Sequence, residues 1–143
     1  MARQALVLDA SVGVKWFSAV GEASVPQARA ILAAHARDDV GIVVPDLFFH
    51  EISNALVHKQ TISPDMVEES ITMLFDLGLT VFPVSRESLR LSAHLARKAG
   101  ITAYAACYAV AAIHCHCPLV TANPRHQGQA LGCKVIPIDQ WRS

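Results

Sequence analysis

Apolar positions along the chain fall into two alternating rhythms. Short, largely apolar runs read as strands: Ala5-Leu6-Val7-Leu8-Asp9, Gly41-Ile42-Val43-Val44, Leu79 to Val84, Pro118 to Thr121, and Lys134 to Ile138. Between them the apolar residues recur every three or four positions, as in Leu47, Phe48, Ile52, Ala55 and Leu56. That spacing predicts helices over about 11–18, 23–37, 46–60, 64–77, 86–99 and 102–115, with a short turn or helix at about 124–131. Asp46, Ser63 and Ser85 stand where N-caps belong, Pro64 suits a first turn, and Gly78 and Gly100 mark helix ends. Strands that are continuously apolar have both faces covered, which predicts a parallel sheet between helical layers.

In such open sheets ligands bind beyond the carboxyl ends of the strands, where strand order reverses. If the first strand is central and the fourth lies beside it, Asp9 and Asn123 end neighbouring strands at that crevice. The assignment of functional residues starts there.

Length and composition narrow the classes. At 143 residues the chain is one domain, 1–143, long enough to bury about 70% of its unfolded surface. Hydrophobic content of 52% against 17% charged residues describes a packed protein and excludes a disordered one. No apolar run approaches the roughly 18 residues of a membrane span, and no secretory leader precedes the first strand, so a cytoplasmic protein is expected. Twelve basic and twelve acidic residues exert no net pull on nucleic acid, so an RNA substrate would need a local patch. Cys107, Cys115, Cys117 and Cys133 form no CxxC pair and read as reduced, buried small hydrophobes.

Two carboxylates stand out. Asp9 closes the first strand; it suits an N-cap, but Ser11 can do the capping and release it. Glu51 shares its helix row with Leu47 and Ala55 and borders the core-facing stripe. A carboxylate there requires a metal, a wet cleft or an Arg or Lys partner, because an isolated buried charge is expensive. Ser11, Asn54 and Thr121 lie near these acids and read first as caps or backbone partners.

Other features read more plainly. The run His114-Cys115-His116-Cys117 matches no zinc spacing and reads as a helix end entering a strand. Arg86, Arg90 and Arg97, with Lys98, share a helix and favour a solvated face over phosphate contacts. Trp16-Phe17 and Phe48-Phe49 read as core, with Trp16 beside Lys15 as an alternative partner groove. No GxGxxG, GxxxxGK[ST] or GxSxG motif is present, which argues against dinucleotide binding, a P-loop and a hydrolase elbow.

Taken together, Leu8-Asp9-Ala10-Ser11-Val12 with Lys15-Trp16-Phe17, Val44-Pro45-Asp46-Leu47 with Glu51 and Asn54-Ala55-Leu56, Gly100-Ile101-Thr102-Ala103-Tyr104 with Ala106 and Tyr108, and Pro118-Leu119-Val120-Thr121-Ala122 resemble the PIN-domain family. Within it the likeness is to VapC-like ribonuclease toxins of toxin–antitoxin modules. The resemblance implies a three-layer α/β/α sandwich with a parallel sheet of about five strands. It implies a Mg²⁺- or Mn²⁺-dependent endoribonuclease, a cognate antitoxin as partner, and a homodimer. On that pattern Asp9 and Glu51 are the first two acids and the metal ligands. Ala105 stands where a third acid belongs and Asn123 where a fourth does, with Thr121 a supporting hydroxyl.

These departures differ in weight. Asn123 keeps an oxygen but loses a charge; Ala105 keeps neither. Mg²⁺ is commonly held by one or two carboxylates plus water and substrate phosphate, so Asp9 and Glu51 suffice for one weakly bound ion. Loss of a direct carboxylate ligand costs on the order of 10²- to 10⁴-fold in rate. The expectation is therefore an RNase toxin that is weakened or inactive, and its rival is a non-catalytic protein of the same fold that binds an antitoxin or RNA. A doubly wound small-molecule binder lacks the glycine loop it would need.

Overall fold

The computed structural model describes residues 3–124 and 132–143. The apolar runs become strands β1 (Gln4–Leu8), β2 (Val40–Pro45), β3 (Thr80–Phe82), β4 (Leu119–Thr121) and β5 (Val135–Pro137). Around them lie helices α1 (Ala10–Gly13), α2 (Val25–Ala36), α3 (Leu47–Val57), α4 (Pro64–Asp76), α5 (Arg86–Ala99) and α6 (Ala103–His114), with 3₁₀ turns at Val14–Trp16 and Ile138–Gln140. The predicted element at 124–131 falls almost wholly outside the described residues.

All four strand pairings are parallel, in the order β3-β2-β1-β4-β5. The run of six residues in β2 is buried at every position, whereas both edge strands are short and only partly covered. That is how an apolar run and its place in the sheet correlate. The chain walks from β1 to β3 in one direction and from β4 to β5 in the other. Right-handed crossovers then set α1–α4 on one face and α5–α6 on the other, giving the three layers. The reversal lies between β1 and β4, as the strand-order argument required. None of the described helices is long and apolar enough to cross a membrane.

Most local signals act as read. Ser63 accepts from the Met66 amide at 3.2 Å, and Ser85 and Ser88 cap reciprocally. Gly78 and Gly100 adopt φ of +70° and +68°, which an L side chain resists. Asp46 is a correction: it holds the N-cap position of α3 without a side-chain hydrogen bond. Its backbone is already helical (φ −60°, ψ −25°), whereas a capping side chain reaches the N2 or N3 amide from an extended backbone. The first helix is also shorter than predicted. One α turn passes into a 3₁₀ turn, where Lys15 is held by Glu22 and Trp16 donates to the Ala28 carbonyl at 2.9 Å. Trp16 packs on Phe48 and its ring nitrogen is used internally, so it is core.

Candidate active site

Strand β1 delivers Asp9 to the reversal point. The Asp9 amide donates to the Val120 carbonyl at 3.1 Å, continuing the β1–β4 ladder one step past the strand. Asp9 occupies the N-cap position of α1 with extended backbone (φ −75°, ψ 150°), yet its side chain caps nothing. The carboxylate is 8% exposed and turned toward two hydroxyls. Ser11 Oγ donates to Asp9 Oδ2 at 2.9 Å, and Thr121 Oγ1 donates to the same oxygen at 2.8 Å.

Those hydroxyls have a fixed polarity. Ser11 Oγ accepts from the Ala122 amide at 3.1 Å, and Thr121 Oγ1 accepts from the Asn123 amide at 3.0 Å. A hydroxyl that accepts from a backbone N–H turns its own proton elsewhere, here to Asp9. The turn after β4 thus holds Asp9 Oδ2 as a carboxylate acceptor. Ser11, expected as a helix cap, is committed to Asp9 instead. The exposed Asn123 enters this network through its main-chain amide.

Glu51 comes from the opposite wall, on α3. Its neighbours Phe48 and Ile52 are buried and press so closely on α1 that a Cβ on Gly13 would lie 2.6 Å from Phe48 Cζ and 2.7 Å from Ile52 Cδ1. That close approach, open to glycine alone without displacement, draws α3 against the turn that carries Asp9. Tyr108 of α6 donates its phenol proton to Glu51 Oε1 at 2.5 Å. Burial pushes the Glu51 carboxyl above its ordinary value of 4.5; the Tyr108 hydrogen bond offsets part of the rise, and the nearby Asp9 charge adds to it. Burial and then the Glu51 charge push the Tyr108 phenol far above 10.0, so it stays a proton donor.

The two predicted acids therefore converge, and among the described residues no Arg or Lys pairs with either. The ion pairs are Arg3–Asp38, Lys15–Glu22, Arg37–Asp39 and Lys59–Glu22. Each acid has one oxygen engaged by hydroxyl donors, Asp9 Oδ2 and Glu51 Oε1, while the described hydrogen bonds leave Asp9 Oδ1 and Glu51 Oε2 unclaimed. This donor set suits one divalent cation held by two carboxylates. It does not suit a two-metal centre, since no group of three or more His, Cys, Asp or Glu among the described residues is placed to hold a metal. Ala105 lies three residues before Tyr108 on α6, in a first turn capped by Thr102, which accepts from the Ala105 amide at 3.0 Å. The backbone for a third ligand is in place; the carboxylate is not.

Sequence reasoning passed over Tyr108, quoting it only within a resembling segment. The available signal was a phenol one helical turn past Ala105, on an otherwise apolar face. The His114–Cys117 run is the end of α6 and the lead into β4, with Cys115 as C-cap and His116 at φ +51°. Arg86, Arg90, Arg97 and Lys98 lie on the exposed side of α5, whose Ser92 and Ala96 face inward.

A family profile described as PIN domain matches residues 6–130. Solved structures share the architecture. VapBC2 from Rickettsia felis, bound to a DNA fragment from its promoter, aligns with TM-score 0.70 and 13% identity over 94% of this chain and 98% of that one. DNA-bound VapBC from Salmonella typhimurium gives 0.68 and 16% over 94% and 98%. PAE2754 from Pyrobaculum aerophilum gives 0.67 and 20% over 97% and 92%. No curated protein matches the chain by sequence. At such identities the likeness to solved structures carries the fold alone.

Proposed function

Because the chain belongs to the PIN domain family, we propose that it is the toxin component of a toxin–antitoxin pair, a metal-dependent endoribonuclease of reduced power. The observation that carries this reading is that Asp9 lies near enough for its charge to act on Glu51, with no Arg or Lys among the described residues paired to either. PIN domains are generally divalent-metal-dependent nucleases, and two neighbouring carboxylates, each with one oxygen unclaimed by the described hydrogen bonds, are what such an ion requires. Two of the structural neighbours are DNA-bound VapBC assemblies, and the partner proposed for this chain is a cognate antitoxin. RNA as substrate, a homodimer and a cytoplasmic place of action complete the proposal.

Asp9 and Glu51 would hold Mg²⁺ or Mn²⁺, which when bound would activate water and neutralise charge on the cleaved phosphate. Thr121 and Ser11 keep the Asp9 side chain aimed. Asn123 supports Thr121 through its amide, and its side chain at the cleft rim is available to water or phosphate. Ala105 contributes nothing to charge, and binding of the ion is correspondingly weak.

Calorimetric titration of Mn²⁺ into the Ala105→Asp variant, followed by an RNA cleavage assay, tests the proposal. Tighter binding and a gain of about 10²- to 10⁴-fold in cleavage are expected. A variant that neither binds Mn²⁺ nor cuts RNA ends the reading. The second reading, a non-catalytic member that binds antitoxin or RNA, is favoured by the absence of a third acid near the pair. It predicts no gain from Ala105→Asp while an antitoxin still co-purifies.

A further inference from the structure

Three hydroxyls touch the two acids. Ser11 and Thr121 each accept from a backbone amide and donate to Asp9. Tyr108 donates to Glu51 from α6, across 57 residues of sequence.

The phenol has little freedom. Tyr108 is 1% exposed within α6, a helix of small residues whose Ala109, Ala111 and Ala112 are buried around it. Glu51 is a flexible side chain on another helix, and no Lys or Arg among the described residues pairs with it. Among the described contacts, the phenol is the single hydrogen-bond donor to its carboxylate. With alanine at 105, no second acid on α6 confines the ion from that side.

We infer that Tyr108 is a positioning residue: it clamps Glu51 Oε1 against α6 and turns Oε2 toward Asp9 for the cation. The inference rests on the metal-site reading above. A hydroxyl that orients a ligating carboxylate typically governs metal affinity by about 10- to 100-fold. A phenol that merely fills the core governs stability alone.

Tyr108→Phe keeps the ring and removes the clamp. Mn²⁺ affinities of the wild-type chain, Tyr108→Phe and Glu51→Ala, read by water-proton relaxation, are compared with their melting temperatures. The expected result is a 10- to 100-fold weaker Mn²⁺ affinity in Tyr108→Phe, with a melting temperature shifted by only a few degrees. A second measurement is spectroscopic. Mg²⁺ should shift the near-ultraviolet tyrosine band of the wild type and of Tyr104→Phe, and leave that of Tyr108→Phe unmoved. Wild-type Mn²⁺ affinity in Tyr108→Phe, with binding lost in Glu51→Ala, overturns the positioning role and leaves the metal site standing. Equal Mn²⁺ behaviour of wild type and Glu51→Ala removes the metal site itself, and this inference with it.

Discussion

Glu22 and Glu51 are both partly buried glutamates, and they are satisfied in opposite ways. Glu22 meets Lys15 Nζ at 3.0 Å and Lys59 Nζ at 3.1 Å, with its side chain 20% exposed. Desolvation opposes its ionisation, but the two lysines together outweigh it and hold the carboxyl below its ordinary value. Among the described residues Glu51 has no lysine or arginine, only a neutral phenol, and its carboxyl is raised. A glutamate whose counter-charge is supplied by the chain is structural. One whose counter-charge must come from solution is poised for a cation, and the Asp9 charge beside it makes the deficit larger.

The largest test of this contrast enlarges the deficit. Ala105→Asp adds an acid to the Glu51 side, so the metal-free variant should melt below wild type, Mn²⁺ should restore it, and cleavage should rise by about 10²- to 10⁴-fold. Next comes the structural glutamate. Glu22→Gln strands Lys15, whose side chain is 6% exposed, and should cost about 2–3 kcal/mol in urea unfolding while leaving Mn²⁺ affinity unchanged. Thr121→Val removes one of the two donors to Asp9 and should weaken Mn²⁺ binding about 10-fold. If affinity holds, the hydroxyls do not aim Asp9.

The smallest effect is the most diagnostic. Glu51→Gln removes a desolvated charge and should change stability by no more than about 1 kcal/mol, toward greater stability at neutral pH, while abolishing Mn²⁺ binding. The pH directions differ too. Glu22 has a depressed folded pKa, so its stabilisation is present above 4.5 and lost as pH falls through the folded value. Glu51 has a raised folded pKa, so its penalty grows as pH rises from 4.5 through the folded value and fades in acid. Relative to wild type, Glu22→Gln should be less stable and Glu51→Gln more stable at neutral pH, and both differences should shrink toward pH 4. Equal signs would erase the distinction drawn between the two glutamates.

Much of this site was legible as isolated residues. Asp9 at a strand end and Glu51 on a core-facing stripe are local patterns; the structure puts Asp9 just past β1 and Glu51 within α3. Their hydrogen-bond partners were not legible. Thr121 reaches Asp9 across 112 positions and Tyr108 reaches Glu51 across 57, and no periodicity links such pairs. Lys15–Glu22–Lys59 was invisible for the same reason. Asp46 failed as a cap because a residue type that suits an N-cap does so only with extended backbone, and the backbone there was set by how β2 enters α3.

The chain by itself determined its strands, most helix ends and a parallel sheet. These follow from interactions spanning a few residues and from runs apolar enough to need cover on both faces. Only the tertiary structure decided that β4 lies beside β1, that α3 and α6 meet at Glu51, and which oxygen of each acid is left open. Those outcomes depend on strand order and on the close helix approach at Gly13, where free energy is shared among distant segments and belongs to no single stretch of sequence.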